Sequence, residues 1–214
     1  QACAALRRVA RLNDFGSVSY QFEVYRWPGS NDSNELLRSR SAAYALYVLA
    51  RAGEADIGQV RYFHDSRLNN EPSPLARAQI GAALAHLGDR ARSRNAFRMA
   101  ERALGYRNTG DWYQSPLRDL AGVLALAAEA GETELVDRLR QRLERDAPDA
   151  GQLMTQEQAQ LLMAANTLLE RAGPVSVSLI GQRMAERRII VDAQRLAAGL
   201  AFRKKLGGGN ALFY

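Results

Sequence analysis

Lysine is almost missing. Lys204 and Lys205 are the only two in 214 residues, so nearly all of the positive charge in a chain of net charge +6 is arginine. Cysteine occurs once, at Cys3, which excludes an intrachain disulfide and leaves the redox compartment unread. Histidine occurs only at His64 and His86. Long apolar runs are missing too. Ala42 to Ala50 is too short to span a bilayer, and Leu117 to Ala130 is broken at once by Arg118 and Asp119. No segment of this chain is therefore expected to insert into a membrane. A hydrophobic fraction of 47% excludes intrinsic disorder and fits a packed globular core.

These shortages empty most of the catalytic inventory. No Gly-x-Ser-x-Gly, His-Glu-x-x-His or phosphate-loop string occurs, and His64-Asp65 has no nucleophile at a recognisable spacing. Cys3 lies on a short amphipathic stretch with no histidine in relation to it, so it reads as a small packing residue. His86 ends an apolar helical run, where the free helix carbonyls are its expected partners. Glu132 and Glu134 open a helix, where the dipole stabilises acids. The expectation is a chain that is not an enzyme, with no catalytic, cofactor-binding or metal-binding residues. The basic balance does not imply nucleic acid, because charges alternate in sign, as from Glu134 through Asp137 and Arg138 to Glu144 and Arg145.

What is present is helical patterning. Ala4, Ala5, Val9 and Leu12 face away from Arg7, Arg8 and Arg11 from the first residues onward, without an initiator Met or an apolar leader, so the chain reads as a segment of a longer polypeptide. An irregular stretch follows from Asn13 to Asn34, with a β-like run at Tyr20 to Tyr25 and a loop from Trp27 to Ser33 in which Asn31-Asp32-Ser33 carries a chance-level glycosylation pattern. From Ser39 three helical hairpins are expected, turning at Gly53, Gly88 and Gly131. Ser73-Pro74 and Ser115-Pro116 read as N-caps followed by proline at the first helical position. Thr155 with Gln158 reads as a capping box opening a further helix to about Arg171.

The two helices of each hairpin differ. The first members, Ala42 to Ala50, Ile80 to Leu87 and Leu120 to Ala128, are apolar almost all round. The second members, Ile57 to Leu68, Ala91 to Leu104 and Leu135 to Leu143, carry a single apolar stripe. An all-round apolar helix must be covered on several sides, whereas a striped one can face water, so two layers are predicted. The fold class is mainly α: either a helical-repeat solenoid or α/α-toroid hairpins forming an incomplete ring. Unequal spacing of the three glycines counts against a strict repeat. After Pro174 alternation at Val175, Val177 and Leu179, then Ile189 to Val191, Leu200 with Phe202, and Ala211 to Tyr214, predicts a short β segment. The domains expected are 1–172, helical, and 173–214, the start of a β-sandwich.

Four ordered strings carry a resemblance: Ala42-Ala43-Tyr44-Ala45-Leu46-Tyr47-Val48-Leu49-Ala50-Arg51; Pro74-Leu75-Ala76-Arg77-Ala78-Gln79-Ile80-Gly81-Ala82-Ala83-Leu84 with Gly88-Asp89; Tyr113-Gln114-Ser115-Pro116-Leu117-Arg118-Asp119; and Thr155-Gln156-Glu157-Gln158. From Ser39 to Arg171 the set resembles the later half of the thioester domain of bacterial alpha-2-macroglobulins. That resemblance implies an α/α toroid followed by a β-sandwich, CUB-like segment, to a strand of which Asn210 to Tyr214 is similar. It further implies a parent that traps proteases in the periplasm, anchored to the inner membrane through its N-terminus. In such a parent a protease cuts a bait region, and a Cys–Gln thioester then acylates the attacker.

The implied partners are target proteases, through the parent, and the parent's remaining domains. The family's Cys-Xaa-Glu-Gln lies earlier than these strings, and Cys3-Ala4-Ala5-Leu6 does not match it, so the thioester is expected outside this chain. The family-like positions are Ser115, Arg118, Asp119, Thr155, Gln156 and Glu157, with Ser115 and Thr155 read as caps and Arg118 and Asp119 as partners for neighbouring helix ends. The alternatives are a tetratricopeptide-like scaffold for protein–protein interaction, favoured by Phe97 and Ala100, and a toroid glycosidase or lyase, which needs paired acids that are not evident.

Overall fold

The computed structural model describes residues 2–10, 33–105, 114–146, 153–171, 177–179, 182–184, 202–206 and 209–213. The expected β-like run at Tyr20 to Tyr25, most of the loop before Ser33, Val175, Ile189 to Val191, Leu200 and Tyr214 lie outside the described residues. Two compact units divide the chain, Gln1–Leu168 and Leu169–Tyr214.

The described part is mainly helical. Helix α1 is Ala2–Ala10, α2 is Ser33–Arg51, α3 is Ile57–Ser66, α4 is Pro74–His86, α5 is Arg90–Ala103, α6 is Pro116–Ala130, α7 is Thr133–Asp146 and α8 is Thr155–Arg171. A single 3₁₀ turn, Leu68–Asn70, follows α3. Helix α2 begins six residues before the regular pattern, because Ser33 to Arg38 are polar enough to mask the periodicity.

The hairpins turn where glycine permits a left-handed backbone. Gly53, Gly88 and Gly131 have φ of 73°, 82° and 83°, and each is followed by an N–H that reaches back five residues. Glu54 bonds the Leu49 carbonyl at 2.8 Å, Asp89 that of Leu84 at 2.9 Å, and Glu132 that of Ala127 at 3.0 Å. This is the Schellman closure, which satisfies helix carbonyls that would otherwise lack donors. N-caps are equally regular. Asp56, Ser73, Asp89 and Ser115 accept from Gly58, Ala76, Arg92 and Arg118 backbone N–H groups at the starts of α3, α4, α5 and α6.

Packing follows helix polarity. Helix α4 lies against α2, α5 and α6; α6 packs on α7 and α1 on α2. Helices α2, α4 and α6 thus form one layer, with α3, α5 and α7 outside it. In α6 every residue but Pro116 and Glu129 is buried, whereas α7 buries only Leu135 and Leu139 and α3 only Val60 and Phe63. The inner helices run the same way, since their C-terminal residues Tyr47, His86 and Glu129 converge. Close approach of α4 and α5 is set at Gly81, where a Cβ would stand 3.0 Å from the buried Phe97 ring.

In the second unit the backbone forms four antiparallel strands: β1 Val177–Leu179, β2 Gln182–Met184, β3 Phe202–Leu206 and β4 Gly209–Phe213. Their order is β2-β1-β3-β4, with Val177 opposite both Met184 and Lys204, and Phe202 opposite Phe213.

Candidate functional site

The inner layer carries polar clusters toward both ends of its helices. Toward the N-terminal ends, Ser115 does two things with one hydroxyl. Its oxygen accepts from the Arg118 N–H at 3.1 Å, capping α6, and its hydrogen is donated to Glu157 Oε1 at 2.5 Å. The other oxygen of Glu157 accepts from the Met154 N–H at 2.9 Å, so one carboxylate ties the starts of α6 and α8. Beside it Arg118 Nη2 donates to Asp119 Oδ1 at 2.8 Å, with both side chains almost fully buried, and Gln114 Nε2 donates to Asp119 Oδ2 at 2.9 Å. A buried ion pair survives only with such additional hydrogen bonds.

The six family-like positions thus separate. Ser115 and Glu157 are joined, Arg118 and Asp119 are joined to each other, and Thr155 and Gln156 are exposed. The expected cap at Thr155 is corrected. Thr155 is the first helical residue of α8 and Met154 precedes it, so the position that Thr155 was expected to fill is taken by a side chain without an oxygen. Only the returning half of a capping box forms, from Glu157 to the Met154 N–H, while the Gln158 amide donates to the Leu153 carbonyl at 2.9 Å.

A second buried carboxylate lies at the entry to α4. Ser39 of α2 donates its hydroxyl to Glu71 Oε2, and the Ser73 N–H donates to Oε1 at 3.0 Å, while Arg77 Nε bonds the Glu71 carbonyl at 2.6 Å. Burial pushes the Glu71 carboxyl up, and the hydrogen bonds from Ser39 and Ser73 oppose it.

At the C-terminal ends, Glu129 of α6 is the shared acceptor. Tyr47 Oη donates to Oε2 at 2.7 Å, His86 Nε2 stands 2.7 Å from Oε1, and Arg51 Nε 3.5 Å from it. Burial, and then the neighbouring Glu129, raise the Tyr47 hydroxyl above the ordinary tyrosine value. The expected pairing of His86 with helix carbonyls is therefore replaced by a carboxylate on another helix. Sequence reading missed Glu129 because, in Ala127-Ala128-Glu129-Ala130, it looks like one polar break in an apolar helix.

The outer layer holds a charge ladder. Arg92 bridges Asp65 at 3.1 Å and Asp89 at 3.2 Å, Arg61 Nε bonds Asp89 at 2.7 Å, and His64 Nδ1 lies 2.7 Å from Asp65. Arg92, and then His64, hold the Asp65 carboxyl down to about 2. Among the described residues no group of three or more His, Cys, Asp and Glu side chains is placed to hold a metal. Among the described residues neither histidine is bonded to a serine, threonine or cysteine; both face carboxylates. These arrangements fasten helices together.

The chain matches no protein-family profile. It is 30% identical over 188 residues to an alpha-2-macroglobulin of Xylella fastidiosa strain 9a5c, covering 80% of this chain and 12% of that protein. Native Escherichia coli alpha-2-macroglobulin superposes with a TM-score of 0.61 at 26% identity, over 87% of this chain and 11% of that one. The Escherichia coli protein activated by porcine elastase gives 0.53 at 28% identity, over 85% of this chain and 16% of that one. The chain spans about an eighth of the length of the curated relatives it matches.

Proposed function

From a chain homologous to a segment of the bacterial alpha-2-macroglobulins, we infer a non-catalytic part of a protease trap. The match over four-fifths of the chain, carried by both sequence and fold, is the observation that supports this reading. In it the inner helices α2, α4 and α6 belong to an α/α ring completed by residues of the parent, and residues 173–214 begin a β-sandwich after a helical domain at 1–172. The parent inhibits broadly, in the periplasm, by acylating an attacking protease through a thioester outside this chain. This segment supplies stiffness. The joins at Glu129, Glu71 and Glu157 lock neighbouring helices, so that a strained bond held elsewhere in the domain keeps its surroundings.

The test uses the full-length polypeptide that carries this segment. Added porcine elastase should form a conjugate that survives denaturing electrophoresis, and should lose activity on casein while keeping it on a small peptide substrate. Methylamine pretreatment should abolish the conjugate. Elastase that digests the polypeptide and retains its caseinolytic activity would overturn the reading.

A further inference from the structure

Three arginines on the outer helix α5 form a stripe that no other group among the described residues pairs with. Arg94, Arg98 and Arg102 recur every fourth residue and are all exposed. Successive members advance about 40° around the helix and about 6 Å along it, which gives a guanidinium track roughly 12 Å long. The buried residues of α5 are Ser93, Ala96, Phe97 and Ala100, and the stripe occupies the opposite, outward pole of the helix.

The surroundings make it distinct. On one flank Arg92 is held by Asp65 of α3 and by Asp89, the cap of α5; on the other Glu101 is held by Arg138 of α7 at 2.8 Å. The remaining arginines of α5 and α7, namely Arg90, Arg92, Arg138, Arg140, Arg142 and Arg145, all have acceptors. Arg94, Arg98 and Arg102 have no hydrogen bond or ion pair among the described residues. Like charges at this spacing repel, so the stripe weakens α5 unless an acid lies over it.

We propose that the Arg94–Arg98–Arg102 track is a docking surface for an acidic segment of a protein partner, one whose carboxylates recur at the same helical spacing. Arginine forks match carboxylates bidentately, and a helix with Glu at every fourth position offers them about 6 Å apart. Two other anionic partners fit worse. Single-stranded nucleic acid needs stacking platforms, and α5 exposes no aromatic side chain. An anionic membrane is held by a larger basic cluster or by inserted apolar side chains, and this track has three arginines while none of the large exposed apolar residues lies on α5. Carboxylates on both flanks, Asp65 and Glu101, also confine an incoming anion to the narrow track.

The probe is a fluorescein-labelled helical peptide with three glutamates at i, i+4 and i+8 in an otherwise alanine and glutamine sequence, titrated with the full-length polypeptide that carries this segment. The comparison variant, R94Q/R98Q/R102Q, keeps helix propensity. Binding should fall about tenfold in the variant at 20 mM salt, and should vanish for the parent chain near 0.3 M. R140Q/R142Q/R145Q removes the same net charge from α7 and should leave binding within twofold. Equal binding by the triple α5 variant, or an equal loss in the α7 variant, would overturn the proposal. Arginine-dependent binding of oligo(dT) or phosphatidylglycerol vesicles as tight as that of the peptide would overturn the choice of partner.

Discussion

Ser115 and Glu157, 42 residues apart in sequence, share a hydrogen bond 2.5 Å long between the first turns of two helices. The serine is already the cap of α6, and the glutamate already answers the Met154 N–H of α8. Each group therefore satisfies its own helix and its partner's, so neither can be removed without leaving a buried polar atom unmatched.

Ser115→Ala should cost about 2 kcal/mol of stability, since it removes a cap and also a donor to a buried carboxylate. Glu157→Gln, which keeps an acceptor, should cost about half of that. Thr155→Ala at the exposed first position of α8 should stay within about 0.5 kcal/mol. Urea melts of the three variants check the order; a Thr155 variant as damaged as the Ser115 variant would restore Thr155 to the cap.

Tyr47→Phe should cost about 1 kcal/mol by removing the donor to Glu129 Oε2, and Glu129→Gln somewhat more, because it also loosens His86 and Arg51. The two changes should be clearly non-additive. A double-mutant cycle followed by thermal melting measures this, and a coupling indistinguishable from zero would show that the tie is idle.

Acid should act on the two layers with opposite signs. Asp65 is held down to about 2 in the folded chain, so its contribution is present above the ordinary aspartate value and is lost as pH falls from about 4 to 2. Its exposure keeps that contribution under about 1 kcal/mol. Glu71 is raised by burial, so its contribution is full below the ordinary glutamate value and is lost as pH rises through the raised one. Asp65→Asn should flatten part of the stability loss below pH 4, and Glu71→Gln should remove a loss that sets in above it. Melting temperature against pH for both variants distinguishes the two.

Hairpin turns and helix layers were legible in the sequence because each rests on local chemistry. A glycine after an apolar run, a serine before proline and an all-round apolar helix each carry their structural meaning within a few residues, as Gly131, Ser115 and Leu120 to Ala128 show. Clusters that join distant helices were not legible. Nothing in Glu129, Glu71 or Arg92 announces a partner, because the partner is chosen by three-dimensional register. The error at Thr155 is of another kind: Thr-x-x-Gln fits a capping box one residue late, and a methionine in the cap position gives no polar signal. The strings around Ser39 to Arg171 that resemble alpha-2-macroglobulins were readable only as an ordered set.

The tie from Tyr47 to Glu129 spans 82 residues, whereas every glycine turn closes a hairpin within its own neighbourhood. On a ribosome Tyr47 emerges long before its acceptor, and two hairpins can fold while its hydroxyl still faces water. Contacts between near neighbours in sequence form quickly and those of long separation late. The seam along Tyr47, His86 and Glu129 is therefore expected to close only after the two hairpins that precede α6 have formed.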